Sequence, residues 1–430
     1  MNMGGMGPLT DGSRVVIIGG GPAGVACGLA CLRMTLARGP RIAVTIIEGK
    51  DFNEERQHNQ CLGILSPPLP ALLEQELGLP FPWHLSRGEI QEYVLHSDHE
   101  QLALCGEHFP SVALRRVQFD AYMLQAAREH GVEVLPARAV DLEFHAQGVV
   151  VYTDSAPLEG DAVVGAFGLD DGTADMFERH TRYRRPALID TLVTKYHPGE
   201  QAMSHFGPRI HAFLPAHRRI EFAAITPKGN HLSIALAGRK IDSKLMQRVL
   251  ALPAMRKQLP DLERAGQRDP NDLRFFKGRF PRTLARAYFG DRYVMVGDAA
   301  GLVRAFKGKG VTSAVQTGIR AAETMLKAGI SARAFHAHYR EANREIIQDL
   351  PYGRLMRLLA IGLAQSGLLD RILRAARREP RLQIALFDAV SGRTAYREVL
   401  RNSLSLSSLA AITRAAIPLG SGARKADRAH

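Results

Sequence analysis

The segment Val15-Val16-Ile17-Ile18-Gly19-Gly20-Gly21-Pro22-Ala23-Gly24 constrains this chain more than any other. A short apolar run passes directly into a glycine turn and then into a helical pattern. In such a turn Gly19 takes the tight bend, Gly21 lets the backbone approach a pyrophosphate, and Gly24 lets helix and strand pack closely. The helix N-terminus, opening at Pro22 and Ala23, then offers free N–H groups and a positive dipole end to the phosphates. A second apolar strand, Ile42 to Ile47, ends at Glu48. That is roughly the ~20-residue offset at which an acid accepts ribose hydroxyls. The pattern predicts a dinucleotide site; the alternative is a purely structural turn.

Which dinucleotide is decided further along. Arg292 to Gly301 is another strand running into a small-residue turn, with Gly297 and Asp298 at its apex. Asp298 is placed to hydrogen-bond a ribityl chain. Lys307-Gly308-Lys309-Gly310 then opens a helical pattern from Val311 to about Lys327. Gly308, Gly310 and Val311 would bring that helix's positive end to a flavin ring. NAD-dependent enzymes have no need of this second motif, so the expected cofactor is FAD. An ordinary strand-turn-helix is the alternative.

Four stretches together resemble the flavoproteins of the geranylgeranyl reductase family, which sits beside the aromatic hydroxylases. They are the GGGPAG turn, Cys61-Leu62-Gly63, Arg116-Val117-Gln118-Phe119-Asp120, and the GDAAG turn with its following Gly-Lys-Gly. A weaker fifth is Glu221 to Gly229, ending in Pro-Lys-Gly. The resemblance spans about residues 14 to 345. It implies an α/β fold: a glutathione-reductase-type, Rossmann-like FAD domain with an inserted, mainly β substrate domain and a helical C-terminal region. The implied boundaries are 12–85, 111–178 and 281–345 for FAD binding, 86–110 and 179–280 for the substrate domain, and 346–430 for the basic helical end.

The implied activity is reduction of C=C bonds in an isoprenoid or similar lipid, with NAD(P)H or a small electron carrier as reductant. An FAD-dependent monooxygenase of a hydrophobic substrate is the alternative. A membrane-surface flavoprotein or lipid carrier with little turnover is a third. The chain departs from the hydroxylase pattern at Gly165-Ala166-Phe167-Gly168, where Phe167 stands in place of an aspartate; Asp170 and Asp171 are the candidate substitutes. Ala224 and Thr226 also stand where bulkier residues are expected.

The resemblance puts Cys61 on the loop facing the flavin. Saturating an alkene takes hydride on one carbon and a proton on the other, and a thiol is protonated at neutral pH. Cys61 is therefore the catalytic candidate, either as proton donor or as a wall of the pocket. His58 is a proton relay or a solvated loop residue. Arg116 is a cofactor contact, with Asp120 one helical turn away as its ion-pair partner. Lys228 either meets the substrate's polar head or decorates a turn. No metal site is expected.

Composition fits a large enzyme: 430 residues, 46% hydrophobic and 23% charged, suit two interleaved domains plus a tail. Cys27, Cys31, Cys61 and Cys105 have neither disulfide nor zinc spacing. Cys27 and Cys31 read as core thiols, and a cytoplasmic setting is expected. The net charge of +13 is concentrated late: 331–430 holds 17 Lys and Arg against 8 Asp and Glu. Arg354 to Leu363 and Arg371 to Arg378 mix arginines with leucines. Such helices either lie on an anionic membrane surface or cap the enzyme with apolar faces inward. No recognition module for nucleic acid is legible. Pro351 and Pro380 are expected to break the C-terminal helices.

Overall fold

The computed structural model describes residues 6–36, 39–52, 61–105, 111–259, 273–304 and 309–403. A six-stranded sheet carries the glycine turns. Its central strand is Arg14–Ile18, paired in parallel with Ala43–Ile47 on one side and Ala162–Gly165 on the other. Glu133–Leu135 adds a parallel edge beyond Ile47, and Tyr293–Met295 a parallel strand beyond Gly165. Antiparallel Phe289–Gly290 closes the far edge. Both faces are covered, which is why Val15 to Ile18 form an unbroken apolar run rather than an alternating one.

The helix Pro22–Thr35 leaves the first strand through the glycine turn. It packs backbone against backbone on the helix Gly310–Lys327. A Cβ on Gly318 would lie 2.3 Å from the carbonyl oxygen of Ala23 and 2.9 Å from the nitrogen of Cys27. Gly318 is thus a requirement of the fold that the sequence pattern did not single out. Cys27 and Cys31 are fully buried on the Pro22–Thr35 helix, as core thiols.

A seven-stranded sheet stands beside this unit. Its order is Phe276–Pro281, Leu188–Tyr196, His231–Gly238, Ile220–Lys228, Arg209–Phe213, Glu92–His96, Gln101–Cys105. All pairs are antiparallel except Arg209–Phe213 with Glu92–His96. Because side chains alternate along a strand, Ala223 and Ile225 enter a core with Leu245, Met246 and Val249. Phe222 and Ala224 face a cavity on the other side.

The C-terminal region is helical, with helices at Arg344–Gln365, Leu368–Ala376, Pro380–Ser391 and Tyr396–Ser403. Pro380 starts a helix, as a break should. Pro351 does not break one: it lies inside the Arg344–Gln365 helix. The missing N–H donor is tolerated there because Ile346, Leu350 and Arg357 are buried and hold the helix against the body.

The two basic segments behave differently. In Leu368–Ala376 the apolar Ile372 and Leu373 are buried while Arg371 and Arg374 are exposed. In Arg344–Gln365 the order is mixed, with Arg354 exposed. Arg357 is buried, whereas Tyr352, Leu355, Leu358 and Leu359 are exposed, Leu358 by 62%. Capping with apolar faces inward therefore describes the second segment, while among the apolar residues of the first Ala360 and Leu363 pack inward. Among the described residues no helix is long and apolar enough to cross a membrane.

Candidate functional site

The first glycine turn separates positions the fold needs from one it leaves open. Gly19 adopts φ +113°, and a Cβ there would meet the Ala166 carbonyl oxygen at 2.5 Å. A Cβ on Gly24 would sit 2.0 Å from the Gly19 carbonyl oxygen. At Gly21 a Cβ would meet nothing within 4 Å. Gly21 is also the N-cap of the Pro22–Thr35 helix, with no side chain bonded to the helix's first N–H groups. The turn thus presents open space and unclaimed donors side by side, which fits a bound pyrophosphate.

Glu48 is half-buried beside the turn. Its Oε2 accepts from the Gly20 N–H at 2.8 Å and its Oε1 from the Lys50 N–H at 2.8 Å. The carboxylate fixes the turn while keeping lone pairs for a ribose hydroxyl.

The second turn converges on the first. Gly297 adopts φ +59°, and a Cβ there would approach the Ala23 Cβ to 3.2 Å. Its N–H donates to Thr317 Oγ1 at 2.9 Å. Asp298 follows, with its Oδ1 3.9 Å from where a Gly310 Cβ would stand. Gly310 begins the long helix, again without a side-chain cap. Lys309 Nζ donates to the Pro67 carbonyl at 3.1 Å. Gly308, Lys307 and His58 lie outside the described residues.

Arg116 points into the same space. Its Nη2 and Nε donate to Asp120 Oδ1 at 2.9 and 3.2 Å. Burial opposes the Arg116 charge, and Asp120, with smaller help from Cys61 and Asp298, more than restores it. Enclosure raises the Asp298 carboxyl above its usual range, and Arg116 partly offsets this. The expected ion pair is present, and it holds Arg116 beside Asp298.

Cys61, Leu62, Arg116, Asp298, Gly310 and Val311 line one end of a cavity of about 350 Å³. Cys61 is exposed, and its Sγ accepts from the Gly63 N–H at 3.3 Å. From there the cavity runs along the seven-stranded sheet over Val193, Ala212, Phe222, Ala224 and Ala235 to Ala389 and Val390 of the Pro380–Ser391 helix. Its room comes from small residues on neighbouring strands: Ala224 pairs with Ala235 and with Ala212. The altered position at Ala224 is therefore part of how the cavity opens. Ala212, Ala235 and Ala237 were not anticipated, although the alternation in Ser233-Ile234-Ala235-Leu236-Ala237 carried the signal.

Phe167 is structural. It stacks on Phe177 at 5.5 Å and meets Tyr183 edge-on at 6.2 Å. Asp170 and Asp171 are engaged in local contacts. Asp170 caps the Asp171–His180 helix by accepting from the Thr173 N–H at 2.8 Å. Asp171 pairs with Arg279 at 2.8 Å and Arg185 at 3.3 Å. Lys228 is not a turn decoration either: it is 6% exposed. Burial lowers its pKa to about 8, with Lys195, Arg115 and Arg116 pushing the same way and Cys61 opposing. No group of His, Cys, Asp and Glu among the described residues could hold a metal ion.

No protein-family model and no curated protein matches the sequence. Solved structures do match the fold. A geranylgeranyl bacteriochlorophyll reductase-like protein from Thermoplasma acidophilum aligns over 92% of this chain and 99% of its own, with TM-score 0.67 and 14% identity. A flavoprotein/dehydrogenase from Cytophaga hutchinsonii covers 95% of this chain and 100% of its own, with TM-score 0.67 and 15% identity. A mutant of the halogenase PltM, solved in complex with FAD, covers 92% and 87%, with TM-score 0.62 and 14% identity. The fold is that of the Rossmann-type flavoproteins, and the resemblance read from the sequence holds at that level.

Proposed function

We propose that this chain is an FAD-dependent reductase that saturates a C=C bond in an elongated apolar substrate of isoprenoid type. The observation that carries this reading is the single cavity with the Asp298–Gly310 turn and Cys61 at one end and an apolar, alanine-widened run at the other. Open space at Gly21 and the uncapped helix starts at Pro22 and Gly310 suit the pyrophosphate and ring of FAD. When bound and reduced, FAD supplies a hydride.

The protein's own share is to hold the alkene and to move a proton. The apolar walls exclude water from the substrate chain. Cys61 gives its Sγ–H proton to the second carbon and is reprotonated from solvent, to which it is open. NAD(P)H or a small electron carrier serves as reductant. The exposed leucines of the Arg344–Gln365 helix, flanked by exposed Arg354, suit docking on an anionic lipid surface from which such a substrate would be drawn.

The test is anaerobic reduction of the purified, FAD-loaded protein, followed by flavin absorbance. One half receives a prenyl lipid without oxygen and the other the same lipid with oxygen. Reoxidation by the alkene, with saturated product by mass spectrometry, is the expected result. Reoxidation by oxygen alone, with a hydroxylated product and no response to the alkene, would overturn it in favour of a monooxygenase.

A further inference from the structure

The cavity face of the seven-stranded sheet changes character along its strands. Phe222 and Ala224 are followed on the same face by Thr226 and Lys228, and Ala237 and Ala235 by Ser233 and His231. On the next strand Val193 is followed by Lys195. Lys228 pairs in register with His231, four residues beyond the cavity's Ala224, or roughly 13 Å along the strand. There a second cavity of about 300 Å³ opens, lined by Arg87, Arg115, Lys228, Gly229, Asn230 and His231.

The charged side chains lining this second cavity, Arg87, Arg115 and Lys228, are all cationic. Lys228 and His231 are 6% and 3% exposed. After burial, the strongest influences on Lys228 are Cys61, which favours its charge, and Lys195, Arg115 and Arg116, which oppose it. Those acting on His231 are His197, Lys228, Lys195 and Arg115. His231 Nδ1 meets Asn230 Oδ1 at 3.3 Å, while its Nε2 is buried without a hydrogen-bond partner. A buried cation set among other cations, with an orphaned ring nitrogen beside it, is costly unless a ligand completes the site.

We propose that this second cavity binds a phosphate ester, held by Lys228, His231, Arg115 and Arg87. Two sources share that chemistry: the phosphorylated head of a lipid whose chain lies in the apolar cavity, and the phosphate of a nicotinamide dinucleotide. The first source rests on the reading of the apolar cavity as a substrate site; the anion site itself does not.

The experiment is calorimetric titration of the FAD-loaded protein with inorganic pyrophosphate, which needs no turnover. Binding is expected to weaken at least tenfold in the doubly exposed variant Arg87→Ala/Arg115→Ala, and likewise in Lys228→Met. The exposed pair keeps the test meaningful should the buried substitution impair folding. Competition assigns the source. If pyrophosphate displaces a prenyl diphosphate but not the prenyl alcohol, the ligand is the lipid head; if it displaces NADPH in preference to NADH, it is the dinucleotide. Absence of pyrophosphate binding, or equal binding by wild type and the exposed-pair variant, overturns the proposal and leaves the reductase reading standing.

Discussion

Arg357 and Glu221 form an ion pair of 2.8 Å in which each side chain is only 6% exposed. Arg357 belongs to the Arg344–Gln365 helix and Glu221 to the strand whose next residue, Phe222, lines the apolar cavity. Burial lowers Arg357 and raises Glu221, so each partner depends on the other to stay charged. Removing one leaves a buried charge, at a cost of about 3–5 kcal/mol. Arg357→Leu should therefore lower the melting temperature sharply, and Arg357→Leu/Glu221→Leu should recover most of the loss. A double-mutant cycle in thermal unfolding measures this, and additive losses would refute it.

The two turn glycines should fail in different ways. Gly24→Ala drives a Cβ into the Gly19 carbonyl and should destabilise the protein by about 3 kcal/mol. Gly21→Ala meets open space, so the apoprotein should lose no more than about 0.5 kcal/mol. Its FAD affinity should nonetheless fall at least tenfold. Urea unfolding of the apoprotein, with flavin fluorescence titration, separates the two effects.

Cys61 lines the cavity without being part of the core. Cys61→Ala should leave FAD loading and anaerobic reduction unchanged while slowing alkene-driven reoxidation by about 100-fold. Stopped-flow absorbance follows both half-reactions in one sample. An unchanged reoxidation rate would reduce Cys61 to a wall of the pocket.

His96 and His211 are buried with Nε2 and Nδ1 2.8 Å apart. Burial lowers their pKa values to about 4 and about 3. Both are depressed relative to the unfolded chain, so the unfolded state binds more protons between those values and pH 6.5. Stability is thus fully present above pH 6.5 and falls as pH drops toward 4, by about 1 kcal/mol per pH unit for each histidine. Chemical unfolding between pH 7 and pH 4 should give a shallower slope for His96→Leu/His211→Leu than for wild type.

The exposed leucines predict lipid binding. Replacing Leu355, Leu358 and Leu359 together by serine should cut association with phosphatidylglycerol-containing vesicles about tenfold or more and leave the melting temperature unchanged. Flotation in a sucrose gradient reads the bound fraction. Equal flotation of the two proteins would remove this face from the argument.

Local chemistry determined the parts of the site that lie within one turn. The strand before Gly19, the bends at Gly19 and Gly297, the helix starting at Gly310 and the Arg116–Asp120 pair all depend on neighbours a few residues apart, and all were legible in the sequence. What joins distant segments was not. Gly318 matters only because another helix presses on it. Ala212, Ala224 and Ala235 become a cavity only when three strands lie in register. The sequence left Lys228 open between a head contact and a turn, because only the packed sheet buries it beside His231 and Arg115. The sequence left Arg354 to Leu363 open between a helix on an anionic membrane surface and a cap with its apolar face inward. The position of Glu221 on a strand more than a hundred residues earlier turned Arg357 inward, because a buried carboxylate draws in an arginine that can neutralise it.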